Sequence, residues 1–127
     1  MRAAQRAGVR HILVTHPELP VISMPITVQI ELAGLGAFFE RCLLSVRAYN
    51  QYVKIANIAD AIWKVGYETT VLATDFGQVH NPPPSQGMQS FVAELLGLGV
   101  QHTQMERMIK VNPRWLLGLS ENSYLQP

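Results

Sequence analysis

The sequence predicts a parallel α/β fold in which three strands alternate with helices. Three short apolar runs have the length and the β-branched or aromatic content of buried strands: HILVTH (11–16), AFFERCLL (37–44) and TTVLATD (69–75). They recur about 30 residues apart, which is the size of one strand and helix unit. Between them the apolar period becomes helical, and strands that alternate with helices in this way pair in parallel.

The first two helices are predicted at the start of the chain and after the first strand. A short helical end covers about residues 1–8. A longer helix runs from about Pro25 to Leu35, with Ser23 available as its cap and Gly36 as its stop. Small polar residues favour the start of a helix and glycine favours its end.

The next two helices have cleaner apolar stripes. Their members recur three and four residues apart, as on one face of a helix, and their Met and Trp side chains are expected in the core. The first helix ends at Gly66 and the second at Gly97 or Gly99. The two stripes are Ile55, Ile58, Ala59, Ile62 and Trp63, and Met88, Phe91, Val92, Leu95 and Leu96.

A last helix is predicted near the C-terminus. Thr103 and Glu106 have the spacing of a capping box that opens it. Asn112 and Pro113 are expected to interrupt it before the apolar stretch RWLLGL, because the residue before a proline avoids helical backbone angles.

Composition excludes several classes of protein. The 127 residues include 10 Lys and Arg against 9 Asp and Glu, and this near-neutral charge argues against a nucleic-acid partner. The single Cys42 cannot form an internal disulfide and is expected to be a small buried hydrophobe. The N-terminus lacks a signal-peptide core, and no apolar window reaches the roughly 18 residues of a membrane span. We therefore expect a cytoplasmic protein without membrane contact.

The predicted units fit an α/β barrel or a doubly wound sheet, the two folds that bury parallel strands on both faces. Residues 1–127 contain no internal boundary and form a single partial domain. A (β/α)₈ barrel needs about 250 residues, so three strand and helix units make about half of one. Such a half leaves strand edges and apolar surface exposed, which favours pairing with a missing half or self-association. Trp115 and the two leucines after it are expected to form a terminal lid over the barrel wall.

Three chemically active side chains fall in the C-terminal halves of the predicted strands: His16 and Asp75 end theirs, and Glu40 lies in the second half of the middle one. Function gathers at the C-terminal ends of parallel strands, so His16, Glu40 and Asp75 are expected at one shared rim. His11 begins its strand and is expected at the opposite end. A histidine with carboxylates is a ligand set for Zn²⁺ or a similar divalent ion.

Each of these residues also has a plainer interpretation. His16 could be a turn histidine bonded to backbone, and Asp75 a turn or cap residue. The next helical stripe begins only after the extended NPPP segment, so Asp75 has no obvious helix to cap. Gln78 could donate from its amide to a ligand, or it could be an ordinary turn residue. Glu18 could support His16 from the second shell or be an exposed loop residue.

Four segments together resemble a known superfamily. They are ILVTHPELP, GAFFERCLLS, TVLATDFGQVHNPPPSQGM and MIKVNPRWLLGL, and ATDFGQ followed by NPPP is the most specific part. From about Gly8 to Leu119 the chain resembles the C-terminal half of amidohydrolase-like metal-dependent hydrolases, in particular the family described as DUF6282. The resemblance implies a (β/α)₈ TIM barrel whose sixth strand ends in a metal-binding His and whose eighth ends in an Asp. These positions match His16 and Asp75, and Asp75 would be the catalytic base.

The chain departs from that pattern in one respect. Such enzymes also take ligands from an HxH pair on the first strand and from the fourth and fifth strands, and this sequence contains no HxH. Two ligands do not complete a catalytic zinc site, which has three. A fragment of a longer protein is the favoured interpretation, because Met1 falls in what resembles the helix before the sixth strand.

Two functions remain open, with a third less favoured. The first is a fragment of a metal-dependent hydrolase that acts on an amide, ester or lactone-like bond of a small-molecule substrate, which Glu40 and Gln78 would contact. The second is a non-catalytic half-barrel binding or assembly module. A doubly wound nucleotide-binding domain is the third, but the sequence has no GxGxxG or P-loop turn.

Overall fold

A three-stranded parallel sheet lies at the centre of the chain. The computed structural model describes residues 1–47 and 53–119. Strands β1 (Ile12–Thr15), β2 (Ala37–Cys42) and β3 (Thr70–Ala73) are hydrogen-bonded in the order β1-β2-β3, and both pairs are parallel. The predicted parallel α/β class and the adjacency of the strands in chain order are confirmed.

Helices precede, connect and follow the strands. The element bounds are close to those predicted from the apolar stripes, and the last three segments follow one another without a break. In chain order they are α1 (Arg2–Arg6), α2 (Ile26–Gly34), α3 (Ile55–Val65), α4 (Pro84–Gly97), α5 (His102–Glu106), a π-helical turn (Arg107–Val111) and α6 (Asn112–Leu116).

One face of the sheet carries the core. Side chains alternate between faces along a strand, so Phe39 and Arg41 of β2 lie on the same face. Leu72 of β3 is the register partner of Arg41 and lies on that face too. Helices α2, α3 and α4 cover this face. A buried apolar cluster joins α3 and α4 to this face, and α2 is held to it by Gln29, which accepts from Arg41. The cluster consists of Leu43, Ile58, Ala59, Ile62, Leu72, Phe91, Leu95, Val100, Met105 and Met108.

The other face of the sheet is only partly covered. It carries Leu13 beside Phe38, and Leu13 is 43% exposed. The Trp115 ring stacks on Phe38 with ring centroids 5.0 Å apart and tilts against His11 at 4.3 Å. The Nδ1 atom of His11 also lies 2.7 Å from the carbonyl oxygen of Leu116. Helix α6 therefore closes the N-terminal end of the strands, where His11 was predicted.

Predictions for three helix details were wrong. Ser23 does not cap α2, whose N-cap is Pro25 without a side-chain bond. Trp63 was expected in the core but is 54% exposed, because the buried face of α3 is narrower than its stripe. The capping box of α5 is formed by Gln101 and Gln104, and the Gln101 N–H donates to Oε1 of Gln104 at 2.9 Å.

The expected interruption at Asn112 and Pro113 was also wrong. The chain passes from the π-helical turn directly into α6, where Pro113 occupies the first turn and needs no N–H partner. The side chain of Asn112 is buried and donates to the carbonyl oxygens of Tyr67 at 2.8 Å and Thr70 at 2.6 Å. This anchor holds the C-terminal helices against the start of β3.

Candidate functional site

The ends of the two outer strands bring a histidine and a carboxylate together. His16 follows β1 and Asp75 lies two residues after β3, and both have left-handed backbone angles, with φ of 53° and 55°. His and Asp tolerate this conformation better than most residues. Although β2 separates their strands by roughly 9.5 Å, Nε2 of His16 lies 3.4 Å from Oδ2 of Asp75. Strand polarity therefore predicted their meeting at one rim.

The distance between these two atoms suits a shared ion. A charge-assisted hydrogen bond is usually about 2.7–2.9 Å long, so 3.4 Å is too long for a tight pair. Two donors bound to one tetrahedral zinc at about 2.0–2.1 Å would stand roughly 3.4 Å apart. The side chains are 22% exposed at His16 and 43% at Asp75, so the pair is accessible to solvent. As a donor pair, His16 and Asp75 fit a divalent ion.

Histidine ligands normally donate their second ring N–H to a carboxylate or carbonyl. Within the described part of the chain, the buried Nδ1 atom of His16 has no such partner, and the buried Oε2 of Glu18 accepts no hydrogen bond. Oε1 of Glu18 accepts a hydrogen bond from Arg41, and no hydrogen bond among the described residues joins Glu18 to His16. The alternative prediction of an exposed Glu18 was wrong, because its side chain is only 8% exposed.

A buried polar network lies under the loop that follows His16. Arg41 is fully buried, and its Nη1 donates to Glu18. Nη1 and Nη2 both donate to Oε1 of Gln29 at 3.1 Å, and Gln29 donates in turn to the carbonyl oxygen of Met24 at 3.0 Å. Burial lowers the pKa of Arg41 to about 10, so the guanidinium stays charged near neutral pH. The network ties the loop to β2 and α2.

Glu40 lies on the open face of the middle strand. The hydroxyl of Thr15 donates to its Oε2 at 2.6 Å, which orients the carboxylate. Cys42 follows on the same face and is buried, as predicted. Burial raises the pKa of Cys42 to about 12, and the charges of Glu40 and Asp75 add to the effect. Two carboxylates therefore stand near a buried thiol at this rim.

The described residues do not by themselves complete a metal site. Among residues 1–47 and 53–119, no three His, Cys, Asp or Glu side chains are grouped so that they could hold one ion. Glu40 is thus near the His16 and Asp75 pair without joining it as a third ligand. Two donors are present where a catalytic zinc takes three.

Gln78 is engaged inside the turn after Asp75. Its Nε2 donates to the carbonyl oxygen of Asp75 at 3.3 Å, and its Oε1 accepts from the backbone N–H of Gly77 at 3.2 Å. The amide of Asn81 donates to the same Oε1 at 2.5 Å. These bonds shape the turn that presents Asp75, and they correspond to the turn alternative for this residue.

Sequence reasoning missed the network around Arg41. Its signal was an arginine within a largely apolar strand, and its partners lie 12 and 23 residues away along the chain.

Comparisons with known proteins leave the family open. No family model matches the sequence, and neither the curated proteins nor the solved structures give a significant match. Within the described ranges, no helix has the length and apolar character needed to cross a bilayer.

Proposed function

We propose that the chain is part of a metal-dependent hydrolase of the amidohydrolase type, equivalent to the C-terminal half of its (β/α)₈ barrel. The observation that carries this proposal is the 3.4 Å separation of Nε2 of His16 and Oδ2 of Asp75 at the C-terminal rim of the sheet. The segments that resemble this superfamily assign a metal ligand to both positions.

The arrangement of the helices supports a barrel over a doubly wound sheet. Crossovers between parallel strands are almost always right-handed, so strands that follow one another in chain order place their helices on one face. The order β1-β2-β3 has no reversal, and α2, α3 and α4 share one face: α2 through the bond between Gln29 and Arg41, and the other two helices through the apolar cluster that includes Leu72. A doubly wound sheet has helices on both faces, whereas a barrel buries the second face by closing on itself.

In the proposed site, His16 and Asp75 are the two ligands that this chain contributes. A divalent ion bound there, with zinc favoured by the donor set, would lower the pKa of a water molecule and polarise the substrate. The remaining ligands would come from the other half of the barrel. The proposal places the protein in the cytoplasm, where a free thiol such as Cys42 stays reduced.

The side chains at the rim have separate roles in the proposed reaction. Asp75 accepts a proton from the attacking water, since a carboxylate beside an ion is a suitable general base. Glu40, oriented by Thr15, accepts a hydrogen bond from the small-molecule substrate. The turn held by Gln78 fixes the position of Asp75. Glu18 and Arg41 hold the loop that carries His16.

A non-catalytic assembly module is the second candidate. The open face of the sheet and the incomplete ligand set among the described residues favour it. Bound metal separates the two functions, because the module needs none.

The hydrolase is tested by joining this chain to a first half that carries an HxH pair. We expect bound divalent metal and metal-dependent hydrolysis of an ester and amide panel, and no appreciable hydrolysis by this chain alone. Asp75→Asn should lower turnover by orders of magnitude, and His16→Ala should mainly lower metal occupancy.

The matched control in this experiment is Asp60→Asn, which removes an exposed carboxylate that pairs with Lys64 on α3. Full turnover in the Asp75→Asn protein would reject the mechanism, and a metal-free joined protein would favour the assembly module.

A further inference from the structure

A cavity lies beside the candidate site, at the same end of the sheet. Its volume is about 420 Å³, which suits a small organic molecule. Two of its walls, Leu43 and Phe76, come directly after Cys42 and Asp75 in the chain. The described lining consists of Leu43, Arg47, Phe76, His80, Asn81, Pro82, Gly87 and Ser90.

Helix α4 carries a glycine where it passes Phe76, which is one wall of the cavity. A Cβ atom at Gly87 would lie 2.5 Å from Cε2 of the Phe76 ring. The ring therefore packs directly on the helix backbone and forms an apolar wall. Pro82 and Leu43 extend this apolar surface.

The polar part of the cavity is centred on one cation. The Nη2 atom of Arg47 donates to Oγ of Ser90 at 3.1 Å and to Oε1 of Glu94 at 2.5 Å. Ser90 also lies 3.2 Å from the same Glu94 oxygen and donates to it. Both Arg47 bonds use Nη2, and a guanidinium has five N–H donors in a planar fork. Among the described residues, Arg47 is thus held in place with donors left to offer a ligand.

The charge around the cavity favours one class of ligand. Its described lining contains a guanidinium, an imidazole, an amide and a hydroxyl, and no carboxylate. Helix α4 begins at its rim without an acidic residue in the first turn, so its dipole adds positive potential. Because Glu94 already offsets part of the Arg47 charge, a planar monoanion matches the site better than a dianion.

We propose that this cavity binds the carboxylate and the apolar body of the substrate. The substrate class is then a small carboxylic acid with an aromatic or branched apolar group, cleaved at an ester or amide bond near Asp75. That the ligand is a substrate rests on the proposed hydrolase function. Binding of the carboxylate itself can be measured without metal or turnover.

The test is a titration of the ¹⁵N-labelled chain with phenylacetate and, in parallel, with the neutral phenylacetamide. Phenylacetate should give saturable shifts at the amides of Gly87 and Ser90, and phenylacetamide should bind at least tenfold more weakly. Arg47→Gln should weaken phenylacetate binding to the same extent. Arg107→Gln, an exposed arginine of the π-helical turn, should leave it unchanged.

Comparing the two ligands on the unmodified chain tests whether the cavity prefers a carboxylate, even if Arg47→Gln fails to fold. Absence of saturable shifts, or equal affinity for the two ligands, overturns the proposal. Shifts that Arg47→Gln leaves unchanged in a folded protein overturn it as well. Carboxylate binding by a joined protein that shows no metal-dependent hydrolysis would reject the hydrolase and keep this site.

Discussion

At the scale of single residues, the ion pair of Glu18 and Arg41 is a buried polar contact beside the site. Both side chains are buried, so removing one of them leaves the charge of the other buried without a partner. We expect Glu18→Leu or Arg41→Met to lower the free energy of unfolding by about 3–5 kcal/mol. The double replacement Glu18→Leu with Arg41→Met should recover much of that loss. Urea denaturation of the four proteins measures this coupling, and additive losses would show that the pair is not coupled.

The thiol of Cys42 gives a second prediction at this scale, on alkaline stability. Its pKa is raised from 9.0 to about 12 by burial, and by the charges of Glu40 and Asp75. Between these two values the folded chain keeps the proton that the unfolded chain releases, so stability falls as pH rises through this range. The slope from this group is at most about 1.4 kcal/mol per pH unit.

The measurement is the free energy of unfolding from pH 9 to 12 for the wild type and for Cys42→Ala. The variant lacks this group, so its profile should fall less steeply. Parallel profiles would contradict the account of a thiol held neutral by its surroundings.

Sequence reasoning found His16 and Asp75 because strand polarity alone places strand ends at one rim. It could not find the partner of Glu18, because Arg41 reaches it only after β2 pairs with β1. The side chain of an arginine in an apolar run does not reveal which loop it will meet. A contact that requires three elements to be in place cannot be predicted from the apolar pattern of one segment.

At the scale of elements, the contact between α4 and the turn after β3 can be tested with two glycines of one helix. Ala at Gly87 would place its Cβ 2.5 Å from the Phe76 ring, whereas Ala at Gly97 meets no atom within 4 Å. We expect Gly87→Ala to lower the melting temperature, since overpacking costs about 1–3 kcal/mol. Gly97→Ala should leave it unchanged or raise it. Equal effects at both positions would contradict the close approach.

The strands and the central helices could be predicted from the spacing of apolar residues in the sequence, because each has one buried face. The C-terminal helices did not follow the expected boundaries. A proline was expected to end them, but Asn112 anchors the backbone to the carbonyl oxygens of Tyr67 and Thr70, so the helix continues through a π-helical turn. Tertiary hydrogen bonds outweighed the local preference.

At the scale of the whole molecule, the open face of the sheet predicts association. Leu13 is 43% exposed and Trp115 is 49% exposed on this side. We expect the chain alone to self-associate, with a mass that rises with concentration in sedimentation experiments. Leu13→Lys should shift the equilibrium towards monomer, and Val21→Lys, in an exposed loop, should not. A monomer with a sharp melt independent of concentration would contradict this.

The most direct test of the central claim is to locate a bound ion on this chain. With only two protein ligands, we expect weak binding of Co²⁺, and paramagnetic broadening of ¹⁵N resonances should be centred on the residues next to His16 and Asp75. His16→Ala and Asp75→Asn should each abolish that broadening, and His102→Ala, an exposed histidine of α5, should leave it intact. Broadening that is centred elsewhere, or that survives both substitutions, would contradict a shared ion site formed by His16 and Asp75.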